Sequence, residues 1–121
     1  AAVVSDGATR PMDGDKVNPK GALEGTIGWL GMQSVRAISG MKPSQSLLPM
    51  MPKIAPRPVL LIAGSGFPDE IPASRMYRAA GGSNVELWEL ADTGHTAGLR
   101  KHPAAYERRT IGFLDHALGV E

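Results

Sequence analysis

The stretch Pro58-Val59-Leu60-Leu61-Ile62-Ala63, closed by Gly64-Ser65-Gly66, constrains the fold of this 121-residue chain more than any other feature. An unbroken apolar run of that length, rich in branched side chains, predicts a strand covered on both faces, as in a parallel sheet packed between helices. Its neighbours support that reading. Pro72 predicts a helix whose apolar positions are Ala73, Met76, Tyr77 and Ala80, stopped by Gly81-Gly82. Val85 to Leu90 predicts the next strand, followed by the turn Asp92-Thr93-Gly94. Pro103 opens a last helix with the stripe Tyr106, Thr110, Phe113, Leu114, Ala117 and Leu118, ended by Gly119.

Upstream, Ala2 to Ser5 predicts a short buried strand closed by Asp6-Gly7. Residues 6–20 have no period and read as a surface loop. From Gly21 to Ser39, Leu23, Ile27, Leu30, Ser34 and Ile38 fall three or four apart and predict one helix face. Gly25, Gly28 and Gly31 weaken that helix by up to about 1 kcal/mol each relative to Ala, and suit close approach of another backbone. Ser44 to Lys53 predicts a short helix broken near Pro49 and Pro52. The order strand, long excursion, strand, helix, strand, helix predicts an α/β fold, a parallel sheet flanked by helices. Three strands leave an open edge, so a neighbouring strand is expected. The beginning Ala1-Ala2-Val3-Val4-Ser5 reads as a sequence entered mid-fold.

Composition bounds the partners. A 42% apolar and 21% charged content suits one globular domain, or half of a larger one. A formal charge of +1 and scattered basic residues offer no nucleic-acid stripe. No apolar stretch reaches a membrane span, Glu24 and Arg36 interrupting the best one, and no signal peptide opens the chain. With no cysteine, thiol nucleophiles, thiolate metal sites and disulfides are excluded, and compartment is not legible. Three dispersed histidines make no metal constellation, and the six methionines read as gap-fillers or lid contacts.

In open α/β sheets functional groups collect at the carboxyl ends of strands. Gly64 to Pro72 carries Asp69 and Glu70 there; Ala91 to Leu99 carries His95. A carboxylate on one loop orients an imidazole on the next and stabilises its protonated form, the supporting half of a nucleophile–His–acid triad. Asp92 reads as a turn residue, with an alternative role as the acid. His102, before Pro103, and His116, near the end of the last helix, read as structural or exposed.

Ala55 to Gly64, Asp69-Glu70-Ile71-Pro72 and Gly94-His95 together resemble the last third of α/β hydrolases, closest to the dienelactone-hydrolase and prolyl-oligopeptidase-like serine esterases. The likeness covers residues 55–118, with Ala2 to Gly7 resembling the strand after the nucleophile-bearing helix. Residues 11–54 fall where that family often inserts a lid or cap. The resemblance implies a serine hydrolase of carboxylic esters or related acyl compounds, with no cofactor or metal and a small-molecule acyl substrate. It makes His95 the general base and then acid, with Asp69 or Glu70 as its carboxylate; the 26-residue step from Asp69 to His95 holds one helix and one strand. The family usually places its acid about four residues before the helix-opening proline, where this chain has Pro68, so the two neighbours stay open. The Gly-x-Ser-x-Gly elbow of the family is absent. Ala63-Gly64-Ser65-Gly66-Phe67 is the nearest approach and makes Ser65 a candidate nucleophile, against the commoner role of a hydroxyl in a Gly-rich turn. The resemblance therefore implies a catalytic partner in a missing N-terminal half. The competing expectation is a non-catalytic binding or assembly module that pairs with itself through the sheet edge.

Overall fold

A computed structural model of the chain describes residues 1–9, 22–40 and 46–120. Three parallel strands lie in sequence order: β1 (Val3–Asp6), β2 (Val59–Gly64) and β3 (Val85–Leu90). Val3 pairs with Val59, and Val59 in turn with Val85, so the three carboxyl ends lie together. Helices are α1 (Ala22–Ser39), α2 (Met51–Ile54), α3 (Glu70–Gly81), α4 (Gly98–Lys101) and α5 (Pro103–Leu118). The class is α/β.

Strand alternation divides the core. Val59 and Leu61 of β2 point to one face, where they meet Met51, Ala73, Tyr77 and Val85, with Leu87 packed alongside. Leu60 and Ile62 point to the other, against Leu90, Phe113, Trp88, Tyr106 and Leu114. Successive strand side chains alternate faces, so α3 covers one side of the sheet and α5 the other. All six β2 residues are buried, which accounts for the unbroken apolar run. Val4 of β1, with Ala2 just before the strand, packs on the α5 side. Beyond β1, no further strand pairs with it among the described residues.

Several boundaries differ from the expectation. Helix α3 begins at Glu70, two residues before Pro72. Proline needs no N–H donor in the first turn, so it is tolerated at the third position as well as the first. Pro49 and Pro52 likewise sit in the opening turns of a 3₁₀ segment (Leu48–Met50) and of α2, so they start helical turns rather than break one. The short α4 had no counterpart in the sequence reading. Helix α5 spans Pro103 to Leu118 and ends at Gly119, in the left-handed conformation that favours glycine at a helix terminus.

Helix α1 forms as expected, but the described part of its stripe is not covered: Leu30 and Ser34 are exposed and Ile38 is 88% exposed. Among the described residues a side chain at Gly31 would meet nothing, so that glycine serves no close approach of a described backbone. The side chains of Leu23 and Ile27, residues 10–20 of the loop expected over 6–20, and residues 11–21 and 41–45 of the expected 11–54 lid lie outside the described residues. No helix among the described residues is long and apolar enough to cross a membrane.

Candidate functional site

The loops leaving β2 and β3 lie against one another at the carboxyl end of the sheet. Ser65 N–H donates to Leu90 O at 3.0 Å and Gly66 N–H to Thr93 O at 2.9 Å. A Cβ at Gly66 would come within 2.8 Å of Gly94 Cα, and one at Gly64 would collide with the Thr93 carbonyl. The glycines flanking Ser65 therefore admit a neighbouring backbone.

Glu70 sits in the first turn of α3, fully buried. Both of its carboxylate oxygens are engaged. Oε1 accepts from Gly64 N–H at 2.6 Å, and Oε2 lies 2.7 Å from His95 Nδ1. These are the short lengths of charge-assisted hydrogen bonds. In a neutral imidazole a carboxylate acceptor at Nδ1 draws the proton to that nitrogen and leaves the lone pair on Nε2. The His95 side chain is 48% exposed, so solvent or substrate reaches the ring while its orienting partner is shut away. Phe67 flanks the imidazole, ring centroids 5.5 Å apart.

The loop carrying His95 crosses the sheet. A Cβ added to Gly7, at the end of β1, would come within 2.7 Å of His95 Cε1, and Gly7 has φ +76°. Space and backbone conformation both require glycine there. Thr96, directly after His95, has φ +51°, rare for a β-branched residue and a conformation that costs on the order of 1–3 kcal/mol. The histidine is thus brought from the end of β3, across β2, to the end of β1.

A second carboxylate, Asp6, ends β1. Tyr106 of α5 donates its hydroxyl to Asp6 Oδ2 at 3.1 Å. Burial raises the Asp6 carboxyl above its ordinary value, the Tyr106 hydrogen bond opposes this, the charge of Glu70 adds to it and that of His95 opposes it. Burial, then the bond to Asp6, raises the Tyr106 phenol.

Of the residues singled out in the sequence, the fold brings Glu70 and His95 together. Asp69 occupies the position before α3, half-buried, with its carbonyl accepting from Ala73 N–H. Ser65 is exposed on the β2 loop, and no hydrogen bond joins it to His95 among the described residues. Asp92 is exposed in a left-handed turn, its carbonyl accepting from Lys101 Nζ. His102 stands at the start of α5 and His116 is exposed in its last turn. Among the described residues no group of three His, Asp or Glu side chains is placed to hold a metal ion. Sequence reasoning missed Asp6 and Tyr106 as members of the site. They are a turn residue and a core-stripe residue by pattern, and no local signal joins positions 100 apart.

No family model, no curated protein and no solved structure matches this chain.

Proposed function

We propose that the chain carries the acid–histidine half of a serine-hydrolase triad, in the C-terminal portion of an α/β-hydrolase-like sheet, and acts on carboxylic esters or related acyl compounds. One observation carries this reading: a buried, doubly anchored Glu70 carboxylate on Nδ1 of a half-exposed His95 that is carried over the end of β1. A strand added parallel at the edge of β1, which has no partner among the described residues, would present its following loop beside His95. We assign the nucleophilic serine to that place, outside residues 1–121. Its hydroxyl gives its proton to His95 Nε2 as oxygen attacks the acyl carbon. The imidazolium, held by Glu70, returns the proton to the departing alkoxide, and water then hydrolyses the acyl-enzyme by the same route. Glu70 stays ionised throughout and no cofactor enters these steps.

The test is turnover of an activated aryl ester by the assembled protein. His95→Ala is expected to lower kcat by about 10³-fold or more with the far-UV circular dichroism unchanged; a folded variant that keeps its activity contradicts the assignment.

A second reading rests on the same open edge, since unpaired strand edges recruit other strands. In it the chain is an assembly module without turnover. A monomeric state at all concentrations in sedimentation counts against self-pairing, and ester turnover counts against an inactive module.

A further inference from the structure

The sheet has a second edge. The strand order β1-β2-β3 leaves the outer side of β3, like that of β1, without a partner among the described residues. Its backbone is turned to receive one. Leu90 O accepts from Ser65 N–H just after β2, so Leu90 bonds inward. In a parallel strand alternate residues bond to opposite sides. Trp88 and Glu86 therefore also bond to β2, while Leu87 and Glu89 point N–H and C=O outward. The Val85 carbonyl points outward too; its N–H already donates to Gly82 O.

Side chains alternate as well. Val85, Leu87 and Glu89 stand on the α3 face, where Arg75 donates to both Glu89 carboxylate oxygens at 2.6 and 2.7 Å. Glu86 and Trp88 stand on the α5 face, where the Arg109 guanidinium lies 5.1 Å from the centre of the Trp88 ring. An open groove lies at this edge, lined by Val85, Glu86 and Leu87 of the strand, Arg78 of α3 and Arg109 of α5. Arg78, Glu86, Glu89 and Arg109 are all exposed.

We propose that β3 pairs antiparallel with β3 of a second copy of this chain, about a twofold axis at Leu87. Contacts between identical subunits about a twofold are isologous, one surface meeting itself. An axis normal to the sheet keeps each face on its own side, so it pairs residues equally far from one central residue. At Leu87 the outward groups meet: Leu87 exchanges N–H and C=O with its own copy, and Glu89 N–H meets the Val85 carbonyl. The charges match too. Glu86 falls opposite the second copy's Trp88, the ring that carries Arg109, so acid meets guanidinium on both sides of the axis. On the α3 face Glu89 falls opposite the second copy's Val85, which shares the groove with Arg78. Other registers do not match. An axis at Trp88 brings the two Arg109 side chains together, and one at Glu86 or Glu89 sets two carboxylates face to face; opposed like charges destabilise a strand pair. An axis at Val85 or Leu90 leaves most of the strand unpaired. Charges on an edge strand usually deter pairing; here their order lets one register neutralise them. The nucleophile strand assigned above lies at the opposite edge, so this pairing goes beyond the hydrolase reading and does not depend on it.

The test is sedimentation equilibrium and amide hydrogen exchange of the 121-residue chain at rising concentration. A dimer is expected, with exchange at Leu87 and Glu89 slowing as it forms. The Trp88 and Leu90 amides, bonded to β2, are expected to be protected at every concentration. Glu86→Arg sets a cation against Arg109 and is expected to weaken association about 10-fold or more. The double variant Glu86→Arg with Arg109→Glu is expected to restore it, which a general loss of fold would not allow. A chain that stays monomeric at all concentrations overturns the proposal, and so does a Glu86→Arg chain that dimerises as before. A dimer that slows Val4 and Asp6 instead also overturns it, since Val3 and Gly7 donate to β2 and their neighbours face the other edge. The exchange readout needs no substitution, so a variant that fails to fold leaves it standing. Turnover enters none of these measurements, so failure here and failure of the hydrolase reading are separate results.

Discussion

Glu70 engages both carboxylate oxygens inside the protein, on Gly64 N–H and His95 Nδ1, so its loss leaves a buried donor without a partner. Glu70→Ala is therefore expected to destabilise the fold by about 1–3 kcal/mol in urea denaturation, while Asp69→Ala stays within about 0.5 kcal/mol. Equal effects would contradict the division between the two neighbours. That division was not legible in the sequence. Pro72 marked a helix start, but the helix begins earlier, and successive residues of a helical turn point about 100° apart, so Glu70 turns inward and Asp69 does not. Gly7→Ala adds a side chain where φ is +76° and the His95 ring is already in contact. It is expected to cost more than the roughly 1–2 kcal/mol of left-handed backbone alone and to shift the His95 ring resonances; an unchanged spectrum would contradict the crossing of the sheet. Asp6 supplies a pH signature. Its carboxyl lies above the ordinary value, chiefly through burial. The folded state therefore holds the proton more tightly than the unfolded one, and the stability Asp6 contributes is present below its unfolded value of 3.8 and lost as pH rises through the raised folded value. Asp6→Asn should remove that decline, measured as thermal stability against pH; a parallel decline in the variant would assign it to another group.

At the scale of elements, β2 was readable because burial on both faces leaves nothing polar in the strand, and β3 because turn residues bracket it. Helix α1 was readable in extent and misread in consequence. A stripe at helical spacing predicts a covered face, yet Leu30, Ser34 and Ile38 stand open. Periodicity reports that a helix has an apolar side, while what covers it belongs to tertiary structure. The contrast is measurable. Leu60→Ala empties a fully buried position between β2 and α5 and is expected to cost about 2–5 kcal/mol. Ile38→Ala is expected to fall within about 0.5 kcal/mol. A large loss at Ile38 would mean that α1 is packed in solution.

Across the whole molecule, three parallel strands with helices on both faces bring two loop ends and the end of β1 to one place. The acid arises after β2, the histidine after β3, and the imidazole lies over β1, whose outer edge has no partner among the described residues. The location of this chemistry was legible, because carboxyl ends of parallel strands gather side chains from separate loops. The Tyr106–Asp6 contact was not, since it exists only once α5 has folded back over the sheet. The glycines beside Ser65 show the same limit: in sequence they make this turn only the nearest approach to an elbow, and in space they admit the backbone of Thr93 and Gly94.

The most direct test of a shared triad is to label the protein, expressed from its gene of origin, with a fluorophosphonate probe and to locate the adduct by intact mass and peptide mapping. The expected result is one modified serine outside residues 1–121, with labelling lost in His95→Ala. An adduct on Ser65 or any other serine of this chain, or no adduct at all, would contradict a nucleophile presented beyond β1.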